Sequence, residues 1–186
     1  MGRQTPWGKS DSSTKIVRGI VSYSTPSHGG IHVSKRLLAK MPEPFRKTSG
    51  WYEEDCEWCM VVLSFPQFFS DENVKAAHQT AKQYFPDQYE AWMRVSDPSY
   101  EIPLEESYAK RKKDFWAKNQ NNWVATSALN VENDMVKVWA VLGSNYGDRK
   151  AKERCFLIPQ SDYSTPFGFW FVVDVLKYEG LFDKAA

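Results

Sequence analysis

One histidine and three consecutive acids are the residues best equipped for chemistry in this chain. His28 lies in Ser24-Thr25-Pro26-Ser27-His28-Gly29-Gly30, and Glu53, Glu54 and Asp55 lie in Trp51-Tyr52-Glu53-Glu54-Asp55-Cys56-Glu57-Trp58. Imidazole and carboxylates together can ligate a divalent metal or share acid–base work. Gly29 and Gly30 let backbone approach a ligand closely, and the polar run can offer backbone N–H groups to a phosphate. His28, Glu53, Glu54 and Asp55 are therefore the candidate centre of a metal-dependent hydrolase or nuclease. As a binding surface the same region takes in Ser24, Thr25, Ser27, His28, Gly29, Gly30, Trp51 and Tyr52. A structural reading competes: the glycines make a tight turn, His28 bonds the acids, and the acids cap a helix. No spacing here matches a metal or phosphate signature. No cofactor is expected apart from the divalent metal of the hydrolase alternative.

Cys56-Glu57-Trp58-Cys59 is a CxxC. Redox work needs a depressed thiol pKa, and the acids at 53, 54, 55 and 57 oppose that, because anions disfavour a thiolate. A zinc site needs two further ligands, from Cys155 and either His28 or His32, with no second CxxC to supply them. Two small apolar residues on a buried helix is the favoured reading. Lys110-Arg111-Lys112-Lys113, with Trp116 close behind, has the basic and aromatic character of single-strand nucleic-acid binding. Glu105, Glu106 and Asp114 are interleaved with it, which favours a solvated helix face.

The elements that must position these residues follow from periodicity. Residues 1–14 are polar and read as an extended arm whose Trp7 docks on the body. Ile16 to Tyr23 reads as a strand, residues 24–30 as a loop and Ile31–Val33 as a short strand. Ser34 caps a helix over 35–40. The apolar run to Phe65 predicts a helix over 51–65, with the acids in its first turn and its last turns buried all round. Ser70 caps a helix that Pro86 stops, with Val74, Ala77, His78 and Ala81 on one face; His78 reads as a core histidine. Further helices are predicted over 87–94 and 104–118. From Trp123 the period becomes two, predicting strands over 123–129, 136–142, 153–158 and 167–175. Trp58, Trp92, Trp139 and Trp170 read as core packing. The expected class is α+β, a single domain over 1–186: N-terminal strands with a central buried helix, a helical middle and a C-terminal antiparallel meander.

Composition narrows the function classes. The chain has 186 residues, 42% of them hydrophobic and 15% aromatic, enough for a core. Twenty-four basic and 23 acidic residues leave a net charge of +1, which argues against a surface wholly built for nucleic acid. Three cysteines are too few and odd for a disulfide scaffold. No h-region opens the chain and no apolar run is long enough to span a bilayer, so neither a secretory signal nor a membrane helix is expected.

Thr5-Pro6-Trp7-Gly8, Gly19-Ile20-Val21 leading into Ser24 to Gly30, Met41-Pro42, and Trp51 to Trp58 occur in one order. In this, residues 5–66 resemble an uncharacterised family encoded by phages, plasmids and related bacterial mobile elements. The resemblance brings no activity. It implies a setting, the bacterial host cytoplasm, and an accessory role such as blocking a host defence. The leading expectation is an accessory protein that binds and blocks a host macromolecule, with a host protein as partner. The metal-dependent hydrolase and a nucleic-acid binder using residues 110–118 are the alternatives.

Overall fold

Alternating apolar residues at Ile20, Ile31, Val33 and Tyr52 place one side of an N-terminal sheet in a core. The computed structural model describes residues 2–165 and 170–178, and the backbone of 180–184. The chain has the expected α+β class and divides into two compact units, Met1–Arg111 and Lys112–Ala186.

In the first unit, β1 (Gln4–Thr5) and β2 (Gly8–Lys9) pair as a small antiparallel hairpin. Thr5 Oγ1 donates to Gly8 O at 2.8 Å and accepts from Trp7 N at 3.2 Å. The stretch expected as an extended arm is therefore a folded hairpin, followed at once by a strand. That strand, β3 (Ser12–Val17), joins β4 (Ile20–Ser24), β5 (Gly29–Val33) and β6 (Trp51–Glu53) in one antiparallel sheet, in the order β3-β4-β5-β6. Gly19, at φ +102°, makes the β3–β4 turn. α1 (Lys35–Leu38) and a 3-10 turn at Glu43–Phe45 lead into β6.

The helix predicted over 51–65 needs correcting. Trp51–Glu53 is a strand, a turn follows, and the helix, α2, runs only over Trp58–Ser64 with no acid in its first turn. Tyr52 explains the strand: it is fully buried, and its alternation with half-buried Trp51 and Glu53 suits a sheet rather than a helix. The all-round burial of the helix does hold, since Cys59 through Leu63 are all buried. α2 packs on β5 and β6 and also on α3 (Asp71–Tyr84), so it has no solvent face to make polar.

Ser70 caps α3, accepting from Asn73 N. α4 (Pro86–Met93) follows directly, and α5 (Tyr108–Lys118) starts four residues later than predicted, after a 3-10 turn at Leu104–Glu106. Glu90 of α4 ties down the intervening loop. Its carboxylate, almost wholly buried, accepts from Ile102 N at 2.7 Å and from the Lys110 ammonium, which also donates to Ile102 O at 2.8 Å.

The second unit holds β7 (Trp123–Val131), β8 (Met135–Leu142), β9 (Glu153–Pro159), β10 (Val172–Val173) and β11 (Gly180–Lys184). They form one antiparallel sheet in the order β10-β7-β8-β9-β11. Val136, Val138 and Ala140 alternate into a core with Phe156, Ile158 and Val173. Trp139, between them in sequence, belongs to the opposite face and outside that core. Asn133 and Asp134 both adopt positive φ in the β7–β8 turn, which shortens the expected loop and lengthens β7 to Val131. Of the strand predicted over 167–175, residues 167–169 lie outside the described residues; among the described ones Val172–Val173 is strand, and Phe171 O also accepts from Ala125 N at 2.8 Å. β11 was not predicted. Among the described residues, no helix is long and apolar enough to cross a membrane.

Candidate functional site

Three sequence words far apart in the chain meet at the end of the first sheet. The β4–β5 connection closes on itself: Thr25 N and Oγ1 both donate to His28 O at 2.7 Å, and Thr25 Oγ1 accepts from His28 N at 3.1 Å. That clamp holds His28 exposed at the end of the sheet. Pairing of β5 with β6 sets Gly30 opposite Glu53, and Glu54 N donates to Gly29 O at 3.2 Å. The acids of the Trp51–Trp58 word thus arrive beside His28.

Both glycines are required by what covers them. A Cβ on Gly29 would occupy the place of the Glu54 carboxylate, and a Cβ on Gly30 that of the Trp7 ring. The Trp7 ring in turn meets Trp51 edge-on, with centroids 5.8 Å apart. Trp51 also packs on Tyr23 at 5.4 Å and on His32 at 4.7 Å. The Arg3 guanidinium lies over the Tyr23 and Trp51 rings and donates to Tyr23 Oη at 3.2 Å. Burial, and then the charge of Arg3, lowers the His32 pKa below its ordinary value. Arg3 and Tyr23 were missed in the sequence, and His32 was read there only as a possible zinc ligand. The signal available for Trp7 was the Thr-Pro-Trp-Gly word itself.

His28, Glu53 and Asp55 each offer a ligand atom, and all three atoms lie within 4.8 Å of one another. Glu54 does not join them, because its carboxylate is over Gly29. Glu53 Oε2 accepts from Cys56 N at 3.4 Å, whereas its Oε1 is buried with no hydrogen-bond partner. Leaving a buried polar atom unpaired costs roughly 1–3 kcal/mol, and more for a charged group. The donor set, one nitrogen and two carboxylates, suits zinc or manganese and leaves coordination positions open.

Of the other predicted binding residues, Ser24 and Ser27 are exposed and Thr25 and Trp51 half-buried at the same corner. Tyr52 is a correction. It is fully buried, its hydroxyl accepts from Lys47 N at 3.0 Å and donates to Phe45 O at 2.9 Å, and it presents no surface. Gly29 and Gly30 are likewise buried and act by making room.

The CxxC does not have the electrostatics of a redox pair. Burial, then the charges of Glu53, Asp55 and Glu57, push the Cys56 thiol up. Cys59, fully buried, is pushed up to about 12 by burial and by the neighbouring Cys56. All three cysteines are free. The basic stretch at 110–113 is not one continuous surface. Lys110 is engaged by Glu90 and Arg111 Nη1 donates to Glu105 O at 2.6 Å. Trp116 stacks on Tyr146, with centroids 3.8 Å apart and planes at 18°, so that face is not open to a base. His78 bonds Tyr89 Oη through Nδ1 at 2.7 Å, and burial followed by Lys82 lowers its pKa, as fits a half-buried packing histidine.

A family model described as a domain of unknown function (DUF7007) matches residues 1–120, a span that includes all the residues of the corner. No curated protein and no solved structure matches the chain.

Proposed function

The chain belongs to the DUF7007 family, whose domain has no described function, and from that premise we propose that it is an accessory protein of bacterial mobile elements that binds and blocks a host macromolecule, a defence component among the candidates. The contact surface is the corner formed by Trp7, Thr25, His28, Trp51, Glu53 and Asp55. One observation carries this reading: the three most distinctive sequence words of the chain converge there, and the convergence leaves His28 and Asp55 exposed with no side-chain hydrogen bond of their own among the described residues. Exposed polar groups on a rigid frame, beside half-buried tryptophans, suit a protein interface better than a fold-stabilising cluster. The test is retention of host components on the immobilised chain, wild type against the His28→Ala/Asp55→Ala double variant. Loss of a retained component in a variant with unchanged melting temperature supports the reading, and equal retention opposes it.

A second reading is favoured by the unpaired Glu53 Oε1: a metal-dependent hydrolase or nuclease in which His28, Glu53 and Asp55 hold a divalent cation. Bound there, the ion would polarise a phosphoryl or carbonyl oxygen or activate a water. Calorimetric titration with Mn2+ or Zn2+ should give one equivalent that the double variant loses. An absence of binding removes this reading and leaves the first intact.

A further inference from the structure

In the second unit, the charge is concentrated where two separate segments meet. Asn119 and Gly143 bring them together. Gly143 N donates to Asn122 O and Ser144 N to Gln120 O, each at 2.8 Å, and a Cβ at Gly143 would strike the Asn119 carbonyl. This clamp sets Tyr146 against Trp116, and the Lys112 ammonium lies 5.4 Å from the Tyr146 centroid. Residues 112–118 and 146–154 hold seven basic and three acidic residues between them, a net +4 in a chain whose total is +1.

The second of these segments is a built loop. Gly147, at φ +86°, turns the chain; Asp148 N donates to Asn145 O at 3.1 Å and Ala151 N to Asp148 O at 3.1 Å. Asp148 Oδ1 accepts from Lys150 N at 2.9 Å, so this carboxylate is engaged in holding the loop. Arg149 and Lys150 stand exposed at its tip, beside a cavity of about 470 Å³ that Thr126, Asn145, Tyr146 and Glu153 also line. Tyr146 remains 45% exposed despite its stack on Trp116. A partly exposed tyrosine with Lys112 over its ring, and with Arg149 and Lys150 lining the same pocket, matches the needs of a flexible anionic chain with aromatic bases.

We infer that this surface, made by Lys112, Tyr146, Arg149 and Lys150, binds single-stranded nucleic acid. It differs from the helix face at 110–118: Lys110 and Arg111 have no part in it, and Trp116 serves as the support beneath Tyr146. The partner is identified by charge complementarity and stacking. With three cations and two carboxylates at the contact itself, the affinity is modest and rests on two to three phosphates.

The experiment is fluorescence anisotropy of a labelled oligothymidine with the full-length chain, at several salt concentrations. Each phosphate contact contributes about −0.7 to the slope of log K against log salt for single strands. A slope near −2 is therefore expected (about three contacts at that increment). Arg149→Ser/Lys150→Ser, whose side chains hold no other part of the fold among the described residues, should weaken binding about tenfold and flatten the slope by about 1.4. Tyr146→Leu should weaken binding while leaving the slope unchanged. No binding at low salt, or equal binding by the double variant, overturns the inference. Equal affinity for polyglutamate also overturns it, in favour of an acidic protein as partner.

Discussion

Trp7 occupies the space that a side chain at Gly30 would need, and this one substitution of ring for Cβ joins the N-terminal hairpin to the sheet. The hairpin is only two residues per strand, too short to be stable by itself. Its position depends on the Trp7 ring and on Arg3 lying over Tyr23 and Trp51.

Gly30→Ala should therefore expel Trp7. The expected cost is roughly 1–3 kcal/mol, the range for overpacking a filled site, with a red shift of tryptophan emission as the ring becomes wetter. An unshifted spectrum and an unchanged melting temperature would mean that Trp7 is not seated on Gly30.

The thiols should be slow to react in the native protein. Cys59, with a pKa of about 12 and full burial, should label only on unfolding. Cys56 is half-buried and should label faster than Cys59, yet more slowly than a free thiol, because its own pKa is raised. Rapid labelling of both by a maleimide at neutral pH would contradict the structural role of the CxxC.

Glu90 should matter for stability in a pH-dependent way. Burial pushes its carboxyl up, but the Ile102 N–H and the Lys110 ammonium more than reverse this, so its folded pKa lies below the ordinary value. A depressed folded pKa gives stability that is present above the unfolded pKa and is lost as pH falls through the folded value. Glu90→Gln should cost roughly 3 kcal/mol at neutral pH, since it leaves Lys110 without its buried partner. The loss should shrink as pH falls from the unfolded pKa through the folded one, as the wild-type carboxylate takes up its proton. Denaturant melts at pH 7 and pH 3 measure both values, and an equal deficit at the two would contradict the assignment.

Local period made most of the helical middle and the meander readable. Ser70, with Asp71 and Glu72, marked the start of α3, and Pro86 marked its end. The helix predicted over 51–65 failed at its front because three residues, Trp51–Glu53, are too few to show a period of two. Their strand character comes from pairing with β5, a long-range cause that local sequence does not carry. The meeting of His28 with Glu53 and Asp55 was legible from chemistry, as a lone polar histidine and a dense acid cluster in need of partners. The aromatic side was legible only in part: Trp7 was expected to dock and Trp51 was a candidate binding residue, whereas Arg3 and Tyr23 carried no local signal. Arg3 and Trp7 come from the N-terminal hairpin segment and Tyr23, His32 and Trp51 from β4, β5 and β6, and the sheet register brings only the last three onto one face. In the second unit, Trp116 meets Tyr146 rather than solvent, through the bonds of Gly143 and Ser144 to Asn122 and Gln120, which local sequence does not carry either.

We propose the corner at His28 and Asp55 as the surface through which the chain engages a host macromolecule. The most direct measurement is quantitative recovery of bacterial host components on the immobilised full-length chain, run beside the His28→Ala/Asp55→Ala variant at matched melting temperature. The expected result is one component retained in near-stoichiometric amount by the wild type and reduced at least tenfold by the variant. Retention of the same component in equal amount by both proteins would contradict it.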